Sequence, residues 1–519
     1  MTISKNTIRY NTWREAFAGF KNPRVIGMLF LGFSAGIPIL LIFSTMSVWL
    51  REAGVDRATI GFFSWAALGY AFKFIWAPLI DRIIIPYLTN ALGRRRSWLI
   101  ASQTSIALSL IFIGKTDPST SLELMAIFAI FLGFSSATQD IVIDAYRIEA
   151  VNLDLQGLMS SSYIAGYRLG MLVAGAGALE LVSFFEATEG YSFAAWSRTY
   201  FVMACLMIVG IITTICIKEP KFKHPIESED LEVRDQFRFL MCFMLSVAAF
   251  IFVFIITSDY VEEIKVYLMT QRMMEEIMCA FMVEAIRFCF AAFIGGLVGH
   301  ILIIMRIAPK KIFKSSYIGP FLDFFQRYGK YGLWILALIG SYRISDIVMG
   351  VIANVFYFDM GFDKQVIGRI TKGFGLTMTI LGGFLGGLLI IRFGVMKTLF
   401  LGAFLAAISN VFFIALARLG DNIEMLSIVI AMDNLSAGIA AAAFVAYLSS
   451  LTNRAFTASQ YAIFSSLMLL FPKLLAGYSG VFVESLGYEG FFFFTALLGL
   501  PVLILVVLIA KYSPENRIE

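Results

Sequence analysis

The sequence predicts an all-α polytopic membrane protein with two six-helix halves and two extra helices between them, fourteen transmembrane helices in total. Composition is the first reason, because hydrophobic residues make up 59% of the 519 residues and charged residues only 15%. A soluble globular chain carries about 25% charged residues. The second reason is that apolar segments of roughly 20 residues, enough to cross a bilayer, recur along the whole chain. The third is a pair of hydrophilic linkers that set the extra helices apart.

The predicted spans follow the apolar segments in order. Six are expected in the first half, at residues 25–49, 60–79, 98–114, 122–145, 158–184 and 198–217. The extra pair is expected at 239–257 and 279–305, and the last six spans at 332–358, 367–391, 398–417, 425–450, 457–483 and 491–510. The chain therefore divides into an N-terminal half over 1–217, linkers with two extra helices over 218–331, and a C-terminal half over 332–519.

Basic residues lie mainly in the loops on one side of the predicted membrane. They include Lys5, Arg9, Arg14, Lys21, Arg24, Arg82, Arg94, Arg95, Arg96, Lys218, Lys221, Lys223, Arg306, Lys310, Lys311 and Lys314. The positive-inside rule assigns this side to the cytoplasm, which puts both termini inside. The sides alternate consistently only if both extra helices cross the membrane, so the rule also supports fourteen spans.

The fourth predicted span carries Gln139, Asp140 and Asp144 near its end. The two carboxylates are four residues apart and therefore share one helical face. A carboxylate inside a membrane is costly unless it faces protein, water or a partner charge, so such groups usually mark routes for ions, protons or substrates. The alternative is that Asp144 and Arg147 already lie at the membrane interface, which leaves only Gln139 and Asp140 deep.

Three further positions in the first half are candidates for binding. Lys73 lies within the second span, where it either meets an anionic group or extends towards the interface. Arg168 lies in the fifth span, where its guanidinium group either binds a substrate carboxylate through two hydrogen bonds or pairs with one of the two aspartates. Gly36 and Pro38 in the first span indicate either a broken helix with free backbone groups or a simple packing kink.

The second half has its own polar residues inside predicted spans. Arg343 and Asp346 are three residues apart at the start of the ninth span, and Asp433 and Asn434 lie deeper in the twelfth. In a transporter made of two halves, these side chains would face those of the first half across a central cavity. Asp433 is therefore a candidate proton site and Asn434 a candidate substrate ligand.

Several classes of function are disfavoured. There is no GxxxxGK[ST] phosphate loop and no large soluble domain, so an ion gradient rather than ATP is the expected source of energy. His224 and His300 are the only histidines, which gives little support to a metal site or a histidine-based catalytic triad. We expect no cofactor, no nucleic-acid partner and no enzymatic activity, because an enzyme should concentrate His, Asp and Glu at a membrane face.

Several blocks of sequence resemble one known family. They are GFSAGIP (32–38), FKFIWAPLIDR (72–82), GRRRSW (93–98), ATQDIVIDAYR (137–147), YRISD (342–346) and NRAFTASQYA (453–462). With these blocks the chain is similar, over most of its length, to the AmpG family of muropeptide permeases in the major facilitator superfamily. The similarity is weakest between the two halves.

The resemblance implies the major facilitator fold and import of anhydromuropeptides by proton symport, for peptidoglycan recycling. These substrates are cell-wall fragments with N-acetylglucosamine, anhydro-N-acetylmuramic acid and a stem peptide. The resemblance also implies that the protein lies in the bacterial inner membrane, and we expect it to be a monomer. One alternative is a porter for acetyl-CoA or another sugar or peptide. The second alternative is a different class of protein, a membrane-embedded transferase or a signalling receptor. The sequence shows neither the cluster of His, Asp and Glu expected of an enzyme nor the sizeable soluble domain expected of a receptor.

The resemblance and the placement of the residues together give each candidate an expected role. The roles are proton coupling for Asp140, Asp144 and Asp433, and substrate binding for Gln139, Arg168, Lys73, Asn434 and Gly36. Among the binding residues, the side-chain amides are expected to meet sugar amides or hydroxyls, and the cations to meet the carboxylates of the peptide.

The loop between the second and third spans resembles a degenerate form of the superfamily's cytoplasmic loop. Asp81 and Arg82 precede it, and Arg94 and Arg95 follow it. In the superfamily, such a loop uses an acid and several bases to latch helix ends together, and opening this latch is part of alternating access. We therefore expect these four residues to act in gating.

Overall fold

A computed structural model of the chain describes residues 13–56, 59–60, 63, 66, 68–186, 191–220, 233–272, 276–307 and 309–512. Every regular element among these residues is a helix. The helices form two compact units. The first comprises Met1–Asp81, Ile85–Phe222 and Asp323–Glu519, and the second Arg82–Ile84 and Lys223–Leu322.

The described helices of the N-terminal half belong to the first unit, except for Arg82 at the end of α5. They are α1 (Trp13–Gly19), α2 (Pro23–Ile42), α3 (Ser44–Glu52), α4 (Leu68–Phe72), α5 (Ala77–Arg82), α6 (Leu88–Leu92), α7 (Arg94–Gly114), α8 (Leu122–Ala150), α9 (Leu153–Leu172), α10 (Ala178–Phe185) and α11 (Phe193–Cys216). A 3-10 turn at Lys73–Ile75 lies between α4 and α5, and a π-helical segment at Val173–Gly177 joins α9 to α10.

The first span leaves helical geometry at Phe43 and not at Gly36, so of the two interpretations of Gly36 and Pro38 the broken helix is wrong. The helix α2 passes through Gly36 and Pro38 and ends at Ile42. Phe43 then leaves helical geometry, with φ −102° and ψ −101°, before α3 begins. Gly36 instead marks a close approach, because a Cβ atom there would lie 2.1 Å from the carbonyl oxygen of Tyr167.

The helices α2 and α9 pack with their backbones in contact. A Cβ atom at Gly166 of α9 would lie 1.8 Å from the carbonyl oxygen of Leu29 in α2, closer than real Cβ atoms approach oxygen. Small residues allow membrane helices to approach in this way, since lipid provides no hydrophobic force to bring them together. The glycines of the fifth span therefore have a packing role.

The helices of the second unit lie between the two halves in sequence. They are α12 (Val233–Ile256), α13 (Ser258–Arg272), α14 (Glu276–Ile304) and α15 (Lys310–Phe313), with a π-helical segment at Lys314–Ile318. Within this unit, Arg287 and Glu284 form the ion pair that their i, i+3 spacing predicts, at 3.1 Å. Lys265 of α13 contacts Glu284 at 2.8 Å and Glu262 at 2.7 Å, so two cations and two carboxylates neutralise one another.

The C-terminal half completes the first unit. Its helices are α16 (Gly319–Tyr328), which begins in the second unit, α17 (Tyr331–Ser341), α18 (Ile344–Asp359), α19 (Lys364–Ile367), α20 (Gly375–Phe393), α21 (Val395–Leu419), α22 (Ile423–Leu451), α23 (Thr457–Ala476) and α24 (Ser479–Tyr512). A π-helical segment, Gly368–Phe374, joins α19 to α20. The last helix kinks at Gly487, whose φ of 68° suits a residue without a Cβ atom.

Thirteen helical segments in the described part of the chain are long and apolar enough to cross a membrane. They correspond, in order, to thirteen of the fourteen predicted spans. The remaining prediction, 60–79, lies partly outside the described residues, and its described portion includes α4, the turn at Lys73–Ile75 and the start of α5. The predicted all-α polytopic fold is therefore confirmed.

Each half has its own apolar core. In the N-terminal half, Trp49 stacks on Trp196 with ring centroids 5.4 Å apart. In the C-terminal half, Phe492 packs against Phe356 at 4.8 Å and against Phe413 at 5.0 Å. Apolar packing explains these contacts, but it does not explain charged side chains that are buried between the same helices.

Candidate functional site

The last part of α8 is buried on all its faces. Residues 135–150 are all buried, and the helix continues five residues past its predicted end at 145. Asp140 and Asp144 are only 8% and 6% exposed, and Arg147 is fully buried. Of the two interpretations of the sequence, the structure therefore favours the one in which Asp144 is buried within the protein.

Asp144 lies between two cations. Its Oδ1 atom is 3.1 Å from Nη2 of Arg147, one turn further along α8. Its Oδ2 atom is 3.8 Å from Nζ of Lys73, which comes from the turn between α4 and α5 and is itself buried. Lys73 thus pairs inside the protein, and the partners of Asp144 are Lys73 and Arg147 rather than Arg168.

Asp140 is less completely compensated than Asp144. Among the residues that the structure describes, it forms no ion pair, and its polar contact is a long hydrogen bond donated by the Tyr163 hydroxyl, at 3.5 Å. Lys73 is close enough to attract Asp140 electrostatically, and Asp144 is close enough to repel it. The two carboxylates and Lys73 therefore act as one electrostatic unit, in which Asp140 has the weaker partners.

Three tyrosines that the sequence analysis missed surround Asp140. Tyr163 and Tyr167 lie one turn apart on α9, with ring centroids 5.9 Å apart. Tyr70 of α4 shares a hydrogen bond with the Ser136 hydroxyl at 2.5 Å. All three are near enough to Asp140 to interact with its charge. The i, i+4 spacing of Tyr163 and Tyr167 in an apolar helix is the sequence signal that points to them.

Arg168 follows Tyr167 on α9 and has no carboxylate within ion-pair distance in the described part of the chain. Its polar contact is from Nη1 to the sulfur of Met171, at 3.9 Å. Arg343 of the C-terminal half lies within electrostatic range of Arg168. Arg343 in turn is 3.8 Å from Asp346. Two guanidinium groups from different halves therefore make a positive region that suits an anionic group.

The predicted polar residues of the twelfth span lie in α22. Asp433 accepts a hydrogen bond from the Ser409 hydroxyl at 3.4 Å and interacts electrostatically with Asp346. Asn434 accepts a bond from the Thr379 hydroxyl at 2.8 Å. Its amide nitrogen also donates to a backbone carbonyl of its own helix at 3.0 Å. The side chain of Asn434 is therefore engaged within its half.

Two other predicted binding residues make helix-packing contacts. Gln139 is fully buried, and the Ser34 hydroxyl of α2 donates to its Oε1 atom at 3.5 Å. Its amide nitrogen has no hydrogen-bond acceptor among the described residues. Gly36 packs against the backbone at Tyr167. Substrate binding by Gln139 and Gly36 stays a prediction.

Three buried charges, Asp81, Arg95 and Glu149, form what we call the latch triad. Nη2 of Arg95 is 2.9 Å from Oδ1 of Asp81 and 2.5 Å from Oε1 of Glu149. Arg94 adds a hydrogen bond from Nη1 to the Asp81 backbone carbonyl at 2.9 Å. The predicted gating residues Asp81, Arg94 and Arg95 are thus brought together, and Glu149 is a member that the sequence analysis did not assign.

The latch triad binds the first turn of α23 in the C-terminal half. The Asp81 carboxylate accepts hydrogen bonds from the backbone N–H groups of Ala458 (3.2 Å) and Ser459 (2.9 Å) and from the Ser459 hydroxyl (2.8 Å). The Thr457 hydroxyl donates to Glu149. The free N–H groups and the dipole of a helix favour a carboxylate at its N-terminus. The triad therefore joins the two halves.

Arg147 makes a second junction between the halves. Its Nη1 atom donates to the Ser449 hydroxyl of α22 at 2.5 Å, and its guanidinium lies 5.1 Å from the ring centroid of Tyr461 in α23. Arg82 belongs to the second compact unit, where its Nη2 atom donates to the Ser315 hydroxyl at 2.7 Å. A gating role for Arg82 therefore stays a prediction.

Two helical halves with charges buried between their helices, joined by the latch triad, are typical of a membrane transporter. The sequence model of one protein family, the Major Facilitator Superfamily, matches residues 15–327 and 333–518 of this chain. Two solved structures share the fold. The fucose:proton symporter FucP of E. coli has a TM-score of 0.58 at 10% identity over 94% of this chain and 98% of its own. The proton:xylose symporter XylE has a TM-score of 0.56 at 12% identity over 97% of each chain.

Curated relatives are similar over nearly the whole chain. A protein of Rickettsia conorii named AmpG 4 is 31% identical over 94% of this chain and 97% of its own. The anhydromuropeptide permease of Escherichia coli (strain K12) is 28% identical over 96% of this chain and 82% of its own. The chain belongs to the Major Facilitator Superfamily, and within it to the AmpG transporters, so the resemblance seen in the sequence is confirmed.

Proposed function

We propose that the protein imports anhydromuropeptides across the bacterial inner membrane by proton symport, for peptidoglycan recycling. The observation that carries the proposal is the nearly full-length similarity to an E. coli permease named for that substrate. The buried cluster of cations, carboxylates and tyrosines supports it, because the substrate combines sugar rings with peptide carboxylates. In this proposal the protein works as a monomer and performs no covalent chemistry.

The basic loops orient the protein in this proposal. The side that bears Arg94 and Arg95 is cytoplasmic by the positive-inside rule, and both termini lie on that side. The closed latch triad then shuts the cytoplasmic route. In this proposal, the closed latch belongs to the state in which the substrate site exchanges with the outer side, and the latch must open before substrate can enter the cell.

Asp140 is the proposed site of the coupling proton, and Asp144 is its electrostatic partner. Lys73 and Arg147 balance the two carboxylates, so the cluster of four groups is neutral when both carboxylates are ionised. A proton on Asp140 gives the cluster a net positive charge. Asp144 is then the one ionised carboxylate of the cluster that attracts Lys73. A positive cluster favours an anionic substrate, so binding of the proton and of the substrate reinforce each other. Asp433 is the proposed second proton site.

Arg168 is the proposed ligand for a substrate carboxylate. It has no carboxylate partner among the described residues, whereas Lys73 is engaged by Asp144 and serves the proton site. The adjacent rings of Tyr163 and Tyr167 offer apolar faces to sugar rings and hydroxyl groups to their polar edges. Asn434, whose amide bonds within its own half in this structure, is the proposed amide ligand from the other half.

The decisive experiment is uptake of labelled N-acetylglucosamine-anhydro-N-acetylmuramyl tripeptide into proteoliposomes, with and without an inward proton gradient. We expect the muropeptide to accumulate only with the gradient, and acetyl-CoA not to enter. Asp140→Asn imitates the protonated group, so it should lose accumulation against a gradient while it keeps exchange of labelled for unlabelled substrate. Asp421→Asn, which changes an exposed carboxylate before α22, should behave as the wild type.

Two results would contradict different parts of the proposal. Uptake of acetyl-CoA without uptake of the muropeptide would show that the substrate is wrong. Full accumulation by Asp140→Asn would show that the coupling proton binds elsewhere, and Asp433→Asn would be the next variant to measure.

A further inference from the structure

An apolar groove of about 770 Å³ lies on the N-terminal half, between the first turns of α2 and the last turns of α11. This volume is within the range of about 300–1,000 Å³ that is usual for small-molecule sites. Ile26, Phe30 and Ile212 line the groove and are 45%, 44% and 55% exposed. Both helices are long and apolar enough to span a membrane, so side chains this exposed face lipid. The groove therefore opens towards the bilayer.

Basic side chains lie at one end of this groove. Arg24 in the first turn of α2 and Lys218, two residues after α11, both belong to its lining. Nη1 of Arg24 donates to the carbonyl oxygen of Ala150, and the other nitrogens of its side chain have no acceptor among the described residues. Lys218 is exposed. The adjacent carboxylate of Glu219 is engaged by two backbone N–H groups at the start of α7.

The basic end lies at the membrane interface, because α2 begins there and α11 ends there. From Pro23 to Phe30 the helix advances about 10 Å, at 1.5 Å per residue. The apolar lining therefore extends about 10 Å from the interface into the hydrocarbon region. These dimensions match an amphiphile with an anionic head at the interface and an apolar chain along the helices.

We propose that this groove binds an anionic phospholipid, with the phosphate between Arg24 and Lys218 and an acyl chain along the apolar lining. Charge complementarity selects this occupant, because the two cations have no free carboxylate beside them among the described residues and so attract a lipid with net negative charge. A zwitterionic lipid carries its own cation and gains less from the same pair. The site is separate from the buried cluster around Asp140 and does not depend on the proposed substrate.

Native mass spectrometry of the purified full-length protein tests the proposal. Phosphatidylglycerol and phosphatidylcholine are added in equal amounts, and the population of each lipid adduct is measured. We expect phosphatidylglycerol adducts to dominate and to fall about fivefold in Lys218→Gln, the usual effect of one basic side chain near a membrane surface. Lys397→Gln, which changes an exposed lysine at the start of α21, should leave the adducts unchanged.

A matched pair of tryptophan variants tests the groove itself. Cys216→Trp fills the groove from an exposed position, and Cys205→Trp places the same side chain on α11 at an exposed position outside the lining. We expect the first variant alone to lose the lipid. Lys218→Gln is a surface change, so it keeps the test decisive if Cys216→Trp does not fold.

Two outcomes would overturn the proposal. Equal populations of the two lipids on the wild type would show an apolar crevice without selection for the head group. Unchanged phosphatidylglycerol binding in Lys218→Gln, or in a folded Cys216→Trp, would show that the lipid binds elsewhere on the protein.

Discussion

Replacing Asp81 by asparagine should shift the protein away from the state in which the latch is closed. The Asp81 carboxylate accepts three hydrogen bonds from Ala458 and Ser459 of α23 and one from Arg95, all in a buried setting. Asparagine keeps the size of the side chain but loses its charge and one acceptor oxygen. Arg95 retains Glu149 as a partner, so the loss falls mainly on the contacts between the halves.

The magnitude follows from those contacts. A hydrogen bond to a charged group contributes about 1.5–3 kcal/mol, and asparagine keeps an acceptor for about half of the bonds. The three bonds from α23 therefore lose about half of their contribution, about 2–4 kcal/mol, which changes the ratio of closed to open protein by a factor of about 30 to 900. A shift of that size is large enough to change the measured distribution of distances between the two halves.

Double electron–electron resonance between spin labels on the two halves measures this shift. Asn90, between Asp81 and Arg94 in the sequence, and Lys397, at the start of α21 in the other half, are exposed. Both accept labels as cysteines, in a background where the exposed cysteines are replaced by serine. We expect the population at long distance to grow in Asp81→Asn. Asp421→Asn removes an exposed carboxylate outside the triad and serves as the control. An unchanged distribution in folded Asp81→Asn would refute the idea that this carboxylate holds the halves together.

Three further predictions test other parts of the molecule. Arg168→Lys keeps the charge but loses the two-pronged geometry, so muropeptide uptake should fall about tenfold at normal expression; equal uptake would make Arg168 a packing charge. A cysteine in place of Glu263 should react with an impermeant maleimide from outside the cell, and one in place of Lys311 should not; a cytoplasmic Glu263 would mean that the extra pair does not cross. Gly166→Ala should lower the free energy of unfolding by about 1–3 kcal/mol through overpacking, whereas Gly350→Ala, where a Cβ meets nothing within 4 Å, should not; similar thermal stability of the two variants would argue against close packing of α2 and α9.

Most of the helix plan could be predicted from the sequence, because the bilayer imposes length and apolar character on each span separately. The largest error lies in the C-terminal half, where the helix of the predicted span 457–483 ends at Ala476. A short helical stretch from Ser479 follows, and Gly487 leaves helical geometry shortly before the predicted start of the last span at 491. Only Gly477 and Tyr478 separate α23 from the stretch that follows, and apolar residues continue on both sides of them. Mean hydropathy alone therefore does not show that boundary.

The candidate site was predictable only where a single residue stands out from its surroundings. Asp140 and Asp144 are acids in an apolar segment, so the sequence alone singles them out. In the sequence, Glu149 looks like an ordinary charged residue at a helix end. Its role depends on Arg95 and Thr457, which are far away in the sequence. Contacts of this kind follow from the fold and leave no local pattern.

One helix links the proposed proton site to both junctions between the halves. In α8, Asp144 pairs with Arg147 one turn later, and Arg147 bonds to Ser449 and lies over the ring of Tyr461 in the other half. Two residues further on, Glu149 joins the latch triad. A change of charge in the proposed proton site therefore acts on a residue that is itself an inter-half contact, at a distance of one helical turn. In the proposed mechanism, no long pathway is needed to couple the proton to the gate, because Arg147 contacts Asp144 of the proton site and also contacts the other half.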